Sequence, residues 1–136
     1  MSNIATSTIG KTIRSFPDLI FSTALPKDDA VTSDVVFLGK TQNALEIVVE
    51  VDTTVDKLAA TKVLTIEYLY GADFDQSVTI FTATGAATTG TVFPLGELAR
   101  FVPPSGTLPV EAKIKVTTDD DAIVGAISVF ASLISR

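Results

Sequence analysis

The acidic residues of this chain are those whose types and spacing come nearest to a catalytic or metal-binding site. Asp119, Asp120 and Asp121 are adjacent, and three carboxylates at the tip of a turn offer the oxygen ligands that Ca²⁺ prefers. Consecutive turn residues rarely point at one ion, and this segment lacks the glycine and the distant glutamate of an EF-hand loop. We therefore interpret the three aspartates as a solvated tight turn.

Two other acidic groups invite similar hypotheses. Asp73 and Asp75 are separated by one residue, which is too little to define a cation site. Glu46, Glu50 and Asp52 share one face of a predicted strand, and paired carboxylates perform acid–base chemistry in glycosidases. Nothing in the sequence predicts a cleft around them. We expect an exposed strand face that charge keeps soluble.

The remaining motifs are weaker still. Gly10-Lys11-Thr12 matches the end of a phosphate-binding loop, but position 5 is Ala5 where that loop needs glycine, and no predicted strand precedes it. Arg100 is a lone cation in a largely apolar segment. It could pair with a carboxylate across an interface or within its own chain, and the sequence leaves both open.

The residue types that are missing narrow the function further. The chain has no cysteine and no histidine, so it lacks a thiolate nucleophile and the commonest general base and transition-metal ligand. A formal net charge of −6 disfavours nucleic acid, because phosphate binding needs clustered Lys and Arg. The longest apolar run, residues 122–134, is too short for a membrane-spanning helix. We expect no enzyme activity, no cofactor, no metal, and no nucleic-acid or membrane partner.

Short strand patterns separated by Gly, Pro and Asp run along the chain. Alternation of apolar and polar residues is clearest over residues 45–52 and 110–117. About seven or eight such strands recur every ten residues or so, with no helical stripe between them. The pattern predicts an all-β fold, a single domain built as a β-sandwich or barrel. Residues 53–61 are expected to form a loop or one helical turn, and residues 85–90 a flexible loop.

We divide the chain into an N-terminal arm, residues 1–24, and a β-sandwich domain, residues 25–136. The arm carries a turn signal at Ser15-Phe16-Pro17-Asp18 and a short apolar patch over residues 19–21. That patch is too small to decide whether the arm folds back on its own domain or lies on a neighbour.

The last third of the sequence reads as one long β-hairpin. Residues 110–117 alternate apolar and polar side chains, the aspartates supply the turn, and residues 123–134 are apolar or small on both faces. We expect this second strand to be covered on one face by the core and on the other by a neighbouring subunit or the arm. The candidate partner contacts are Phe16, Leu19, Ile20, Phe21, Arg100, Ile127 and Val129.

The order of these segments resembles the small cement, or decoration, proteins of tailed-bacteriophage capsids. The matching pieces are Gly71-Ala72-Asp73-Phe74, residues 96–104, residues 112–116 and Val124-Gly125-Ala126-Ile127, within a resemblance that covers roughly residues 35–134. The chain departs from the family pattern in its longer arm and at Lys113-Ile114-Lys115, where aromatic and Arg residues are common.

The resemblance implies a jelly-roll-type protein without an active site. Such proteins assemble as trimers on the outside of the phage head and brace the shell, so the implied partners are the major capsid protein and further copies of this chain. The implied location is the capsid surface of the virion, after synthesis in the host cytoplasm. Two alternatives stay open: another phage structural β-sandwich, such as a tail or fibre component, and a carbohydrate- or receptor-binding module. The absence of Trp weighs against the latter.

Overall fold

Two antiparallel β-sheets packed face to face form the described part of the chain. The computed structural model describes residues 13–14, 18–37, 44–52, 57–92, 96–102 and 111–135. The strands are β1 (Ile13–Arg14), β2 (Asp18–Ala24), β3 (Asp29–Thr32), β4 (Val36–Phe37), β5 (Ala44–Asp52), β6 (Lys57–Leu58), β7 (Val63–Tyr70), β8 (Gln76–Thr84), β9 (Thr91–Val92), β10 (Gly96–Phe101), β11 (Glu111–Thr118) and β12 (Ala126–Ser135). Among these residues no helix is long and apolar enough to cross a membrane.

The strand order is that of a jelly roll. The first sheet runs β2–β12–β5–β10, with β1 continuing the line of β2 along the end of β12. The second sheet runs β3–β11–β7–β8, with β4 continuing the line of β3. Successive long strands alternate between the sheets except at the β7–β8 hairpin, which is how two Greek keys wrap into one sandwich. The all-β sandwich predicted from the sequence is confirmed.

The core lies between the two sheets and follows the period of two in each strand. Alternate residues of β5 and β12 meet alternate residues of β7 and β11, because successive side chains of a strand point to opposite faces. The fully buried members of this core include Ile47, Val49, Leu64, Ile66, Tyr68, Ala112, Ile114, Val116, Ile127 and Val129. β-Branched side chains dominate, as expected where two pleated surfaces interdigitate.

The predicted terminal hairpin is wrong. β11 pairs with β3, β4 and β7, whereas β12 pairs with β1, β2 and β5, so the two strands lie in opposite sheets. Residues 119–125 therefore cross from one sheet to the other instead of closing a tight turn. Side chains alternate with a period of two both in strands that pair side by side and in strands that face each other across a core. Alternation alone therefore does not show whether two strands belong to the same sheet.

The second part of the predicted arm is a strand of the first sheet. β2 pairs with β12 from Ala24↔Ala126 to Asp18↔Ala131, with a bulge between Val129 and Phe130. Of the two courses that the sequence left open, residues 18–24 fold back on their own domain. Residues 1–12 and Phe16 lie outside the described residues, and the division at residue 24 stays a prediction.

Two predicted loops differ from the structure. The Gly85 N–H donates to the Lys62 carbonyl (2.8 Å), and the Thr61 N–H donates to the Gly85 carbonyl (3.1 Å). Gly90, at φ 72°, donates its N–H to the Ala86 carbonyl (3.0 Å). The predicted flexible loop is therefore a hydrogen-bonded turn. Part of the segment expected as a loop or helical turn is instead strand β6, which pairs with β9.

Candidate interaction surface

The outer faces of the two sheets differ in chemistry. On the second sheet, Thr32, Lys115, Glu67 and Thr79 lie opposite one another across β3, β11, β7 and β8. A parallel row contains Thr117, Thr65 and Thr82 in the same way. Lys115 and Glu67 have opposite charges at directly paired positions, which favours this strand pairing in water. The outer face of the second sheet is therefore predominantly polar.

The outer face of the first sheet carries a row of apolar side chains. Ile47, Val49 and Val51 of β5 point into the core, so the alternate residue Val48 points outward. Val48 lies opposite Phe130 of β12, and Phe130 lies opposite Leu19 of β2. We call Leu19, Phe130 and Val48 the apolar row. Leu19 is 57% exposed and Val48 only 8%, while Phe130 is half-buried, so exposure rises toward the sheet edge.

An ion pair continues this row onto β10. Arg100 lies opposite Val48 in the sheet, and its Nη1 donates to Oε1 of Glu46, two residues along β5. Glu46 is 2% exposed, whereas the Arg100 side chain is 43% exposed. The expectation that Glu46 belongs to an exposed face is thus wrong. β5 is a central strand, so the Glu46 carboxylate is removed from water. The positive charge of the Arg100 guanidinium compensates the negative charge of this buried carboxylate.

The predicted partner contacts separate into three groups. Leu19 and Arg100 lie at the surface, whereas Ile20 and Phe21 are half-buried against the core. Ile127 and Val129 are 0% exposed inside their own core, so the prediction that they contact a partner is wrong. Side chains of β12 alternate between the core and the outer face of the sheet. Ser128 and Phe130, on the outer face, are the better candidates for partner contacts. Ordinary alternation could have found Phe130 once the core face of β12 was known.

An open groove lies between the β2 edge of the first sheet and the β3–β4 edge of the second sheet. It has a volume of about 400 Å³ and is lined by Leu19, Ile20, Phe21 and Ser22 of β2 and by residues 33–36 of the opposite edge. Val35, on that opposite wall, is 46% exposed. Apart from Asp34, its lining consists of apolar and serine side chains.

A bulge shapes the second wall of this groove. Thr32 pairs with Lys115 and Val36 with Ala112, so three residues, 33–35, stand opposite two, 113–114. Ser33 secures the bulge, since its N–H donates to the Ile114 carbonyl (2.8 Å) and its Oγ accepts from the Ile114 N–H (2.8 Å). Such an extra residue kinks an edge strand and redirects its side chains.

The three aspartates do not form one solvated turn. Asp119 and Asp121 are exposed, but Asp120 is 2% exposed. Its Oδ2 accepts from the Ala59 N–H (2.8 Å), and its Oδ1 accepts from the Ala122 N–H (2.9 Å). Its carbonyl accepts from the Asp28 N–H (3.0 Å). Asp120 therefore fastens the crossover between the sheets to two other loops, and its carboxylate oxygens are occupied by backbone donors.

The surroundings of Asp120 lower the pKa of its carboxyl below the ordinary value of 3.8. Burial acts in the opposite direction and is the largest single influence, because it disfavours the charged form. Hydrogen bonds from the backbone N–H groups of Ala59, Ala122 and Ile123, together with the positive charge of Lys62, outweigh it. The carboxylate is thus held ionised for a structural purpose.

The Asp73 and Asp75 pair lies in the exposed hairpin between β7 and β8. Phe74, between them, has φ 55° and donates its N–H to the Gly71 carbonyl (3.3 Å). Lys113 Nζ stands 4.9 Å from the centre of the Phe74 ring, a cation–π contact. Within the described ranges no group of three or more His, Cys, Asp or Glu side chains is arranged to hold a metal ion.

Comparison with known proteins identifies no family for this chain. No protein-family model matches the chain, and no curated protein matches it. Among solved structures, VP2 of infectious bursal disease virus, from a subviral particle, is similar at 19% identity over 90% of this chain and 31% of that one, with a TM-score of 0.39. The structure of the Gt strain of the same virus is similar at 20% identity over 91% of this chain and 32% of that one, with a TM-score of 0.37. This chain thus spans about a third of those chains.

A third similar structure is the Drosophila NLP-core, which was described in connection with pentamer formation and histone binding. It is 12% identical over 85% of this chain and 98% of that one, with a TM-score of 0.37.

Proposed function

We propose that this chain is a structural virion protein, a capsid cement (decoration) protein of a tailed bacteriophage. In this role it assembles as a homotrimer on the outer surface of the head, contacts the major capsid protein and stabilises the shell. It acts by contact alone, without catalysis, cofactor or metal, and binds neither nucleic acid nor membrane. It is made in the host cytoplasm and resides on the capsid surface.

The observation that carries this proposal is the contrast between the two sheet faces. On the first sheet the apolar row lies beside a polar row of Ser22, Ser128 and Glu50. An apolar row with polar neighbours is suited to burial against a partner, whereas the predominantly polar outer face of the second sheet is suited to water. Leu19 and Phe130 offer apolar area on the first sheet, and Arg100 stands beside them at the end of the row. Arginine and aromatic side chains are enriched where protein surfaces meet.

The jelly-roll strand order and the sequence resemblance support the same role. The segments that resemble decoration proteins fall on the β7–β8 hairpin, β10, β11 and the start of β12. The net charge of −6 suits a protein that docks on a protein shell and avoids the packaged genome.

The direct test is binding to expanded phage heads that lack this protein, followed by centrifugation. Saturable binding, with one or a few copies at each threefold position, is expected, and light scattering of the purified protein should give the mass of a trimer. Absence of saturable binding would remove the proposal. Reproducible hits for the same protein on a glycan array would favour a carbohydrate- or receptor-binding module.

A further inference from the structure

The groove between the sheet edges has the properties of a site for an added β-strand. No strand among the described residues pairs with β2 on the side away from β12, or with β3 and β4 on the side away from β11. Such edges present unpaired backbone N–H and C=O groups that another strand can join. Edge strands are usually protected by charges or proline, yet residues 19–24 of β2 contain neither.

The lining of the groove selects the chemistry of its occupant. Ile20 and Phe21 of β2, both half-buried, and Val35, which is 46% exposed, give the two walls apolar side chains. Among the described residues that line the groove, Asp34 is the one that carries a charge, and it is acidic. Asp18 begins the strand that forms the other wall. A segment that fits must therefore be extended, partly apolar and basic.

The first residues of this chain have that composition. Residues 1–12, outside the described part of the structure, contain Ile4, Ile9 and three threonines, which favour extended conformations. They carry Lys11 and no acidic residue, in a chain whose net charge is −6. Twelve extended residues span about 40 Å, which is ample for a groove whose β2 wall has four residues.

We propose that residues 1–12 of one copy of this chain bind as an added β-strand in the groove between β2 and residues 33–36 of a second copy. The course of β1 favours a second copy. β1 pairs with Ile134 and Ser135 at the far end of β12, so the chain before residue 13 must reverse direction to enter its own groove. This inference goes beyond the capsid role and does not rest on it.

Engineered cysteines test the proposal directly, because the natural chain has none. One full-length variant carries Ile4→Cys, Thr6→Cys or Thr8→Cys, alternate positions of the added strand. The other carries Val35→Cys in the groove. After mixing and mild oxidation, we expect a disulfide-linked dimer of the two variants at one or more of the three positions. A matched partner with Thr82→Cys, exposed on the far sheet, should give about tenfold less.

A charge variant completes the design. Asp34→Lys, in the groove partner, should lower the yield of cross-linked dimer about fivefold, the effect of an exposed charge pair. Asp73→Lys, at another exposed aspartate, in the β7–β8 hairpin, should leave the yield unchanged. A double variant with cysteines at both positions that closes within one chain would overturn the proposal, and so would failure of all three positions to exceed the Thr82→Cys control. These results concern purified protein, so they are independent of binding to heads.

Discussion

At the scale of single residues, the most informative side chain is the buried carboxylate of Asp120. From the sequence, Asp120 was considered as a Ca²⁺ ligand and then interpreted as part of a solvated turn. The three aspartates were interpreted as a turn. Which of their carboxylates is buried depends on how residues 119–125 cross from one sheet to the other. That crossing depends on long-range pairing that local sequence does not encode. Asp120 is therefore a structural acceptor that only the fold reveals.

Replacing Asp120 by Asn should destabilise the domain by about 1–3 kcal/mol, the cost of leaving a buried backbone donor without its acceptor. The amide keeps one oxygen, but its NH₂ group then faces either the Ala59 or the Ala122 N–H. Urea unfolding measures the change. Asp121→Asn, at an exposed neighbour, should stay within about 0.5 kcal/mol; equal effects for the two would contradict this role.

The same carboxylate predicts a dependence of stability on pH. Its pKa is lower in the folded state than the ordinary 3.8, so the unfolded chain binds this proton more readily. The contribution of Asp120 is therefore complete above 3.8 and is lost as pH falls through the lowered folded pKa. The difference in unfolding free energy between the wild type and Asp120→Asn should shrink below about pH 4. A constant difference from neutral to acid pH would contradict it.

Gly85 is the residue whose substitution has the plainest steric consequence. A Cβ built there would lie 1.9 Å from the carbonyl oxygen of Ala59, so the two backbone segments would have to separate. Gly85→Ala should cost about 3 kcal/mol or more, read from the shift of the thermal or urea midpoint. Ala87→Ser, exposed in the same turn, is the matched control. A Gly85→Ala protein as stable as this control would refute the close packing.

At the scale of elements, the sequence predicted the strands better than their partners. β5, β11 and β12 were predicted within a few residues of the bounds the structure has. Alternation identifies a strand and its buried face, because it reports which side chains leave water. It carries no information on which strand lies alongside, which is why β11 and β12 were joined in one hairpin.

The alternation within β12 gives a prediction at this scale. Ile127→Ala should destabilise the domain by about 2–5 kcal/mol, because it opens a cavity in the core. Ser128→Ala, at the next position and on the outer face, should change stability by no more than about 0.5 kcal/mol. Urea unfolding of the two variants decides. If Ile127 lay at a partner surface instead, its truncation would leave the isolated domain nearly unchanged.

At the scale of the whole molecule, composition already pointed to a single all-β domain and away from catalysis by His or Cys. The candidate surface was only partly accessible from the sequence. The sequence indicated Leu19 as part of a short apolar patch and Arg100 as a lone cation. Phe130 and Val48 join them only through the register of four strands. This candidate surface is therefore a product of the fold.

The measurement that tests the central claim most directly is binding of two surface variants to expanded heads lacking this protein. Phe130→Asp places a charge in the apolar row, and Thr82→Asp places the same charge on the polar face of the other sheet. With both variants folded, as circular dichroism would verify, Phe130→Asp should weaken binding about tenfold or more and Thr82→Asp should bind like the wild type. Equal binding by the two variants, or loss with Thr82→Asp alone, would contradict the account.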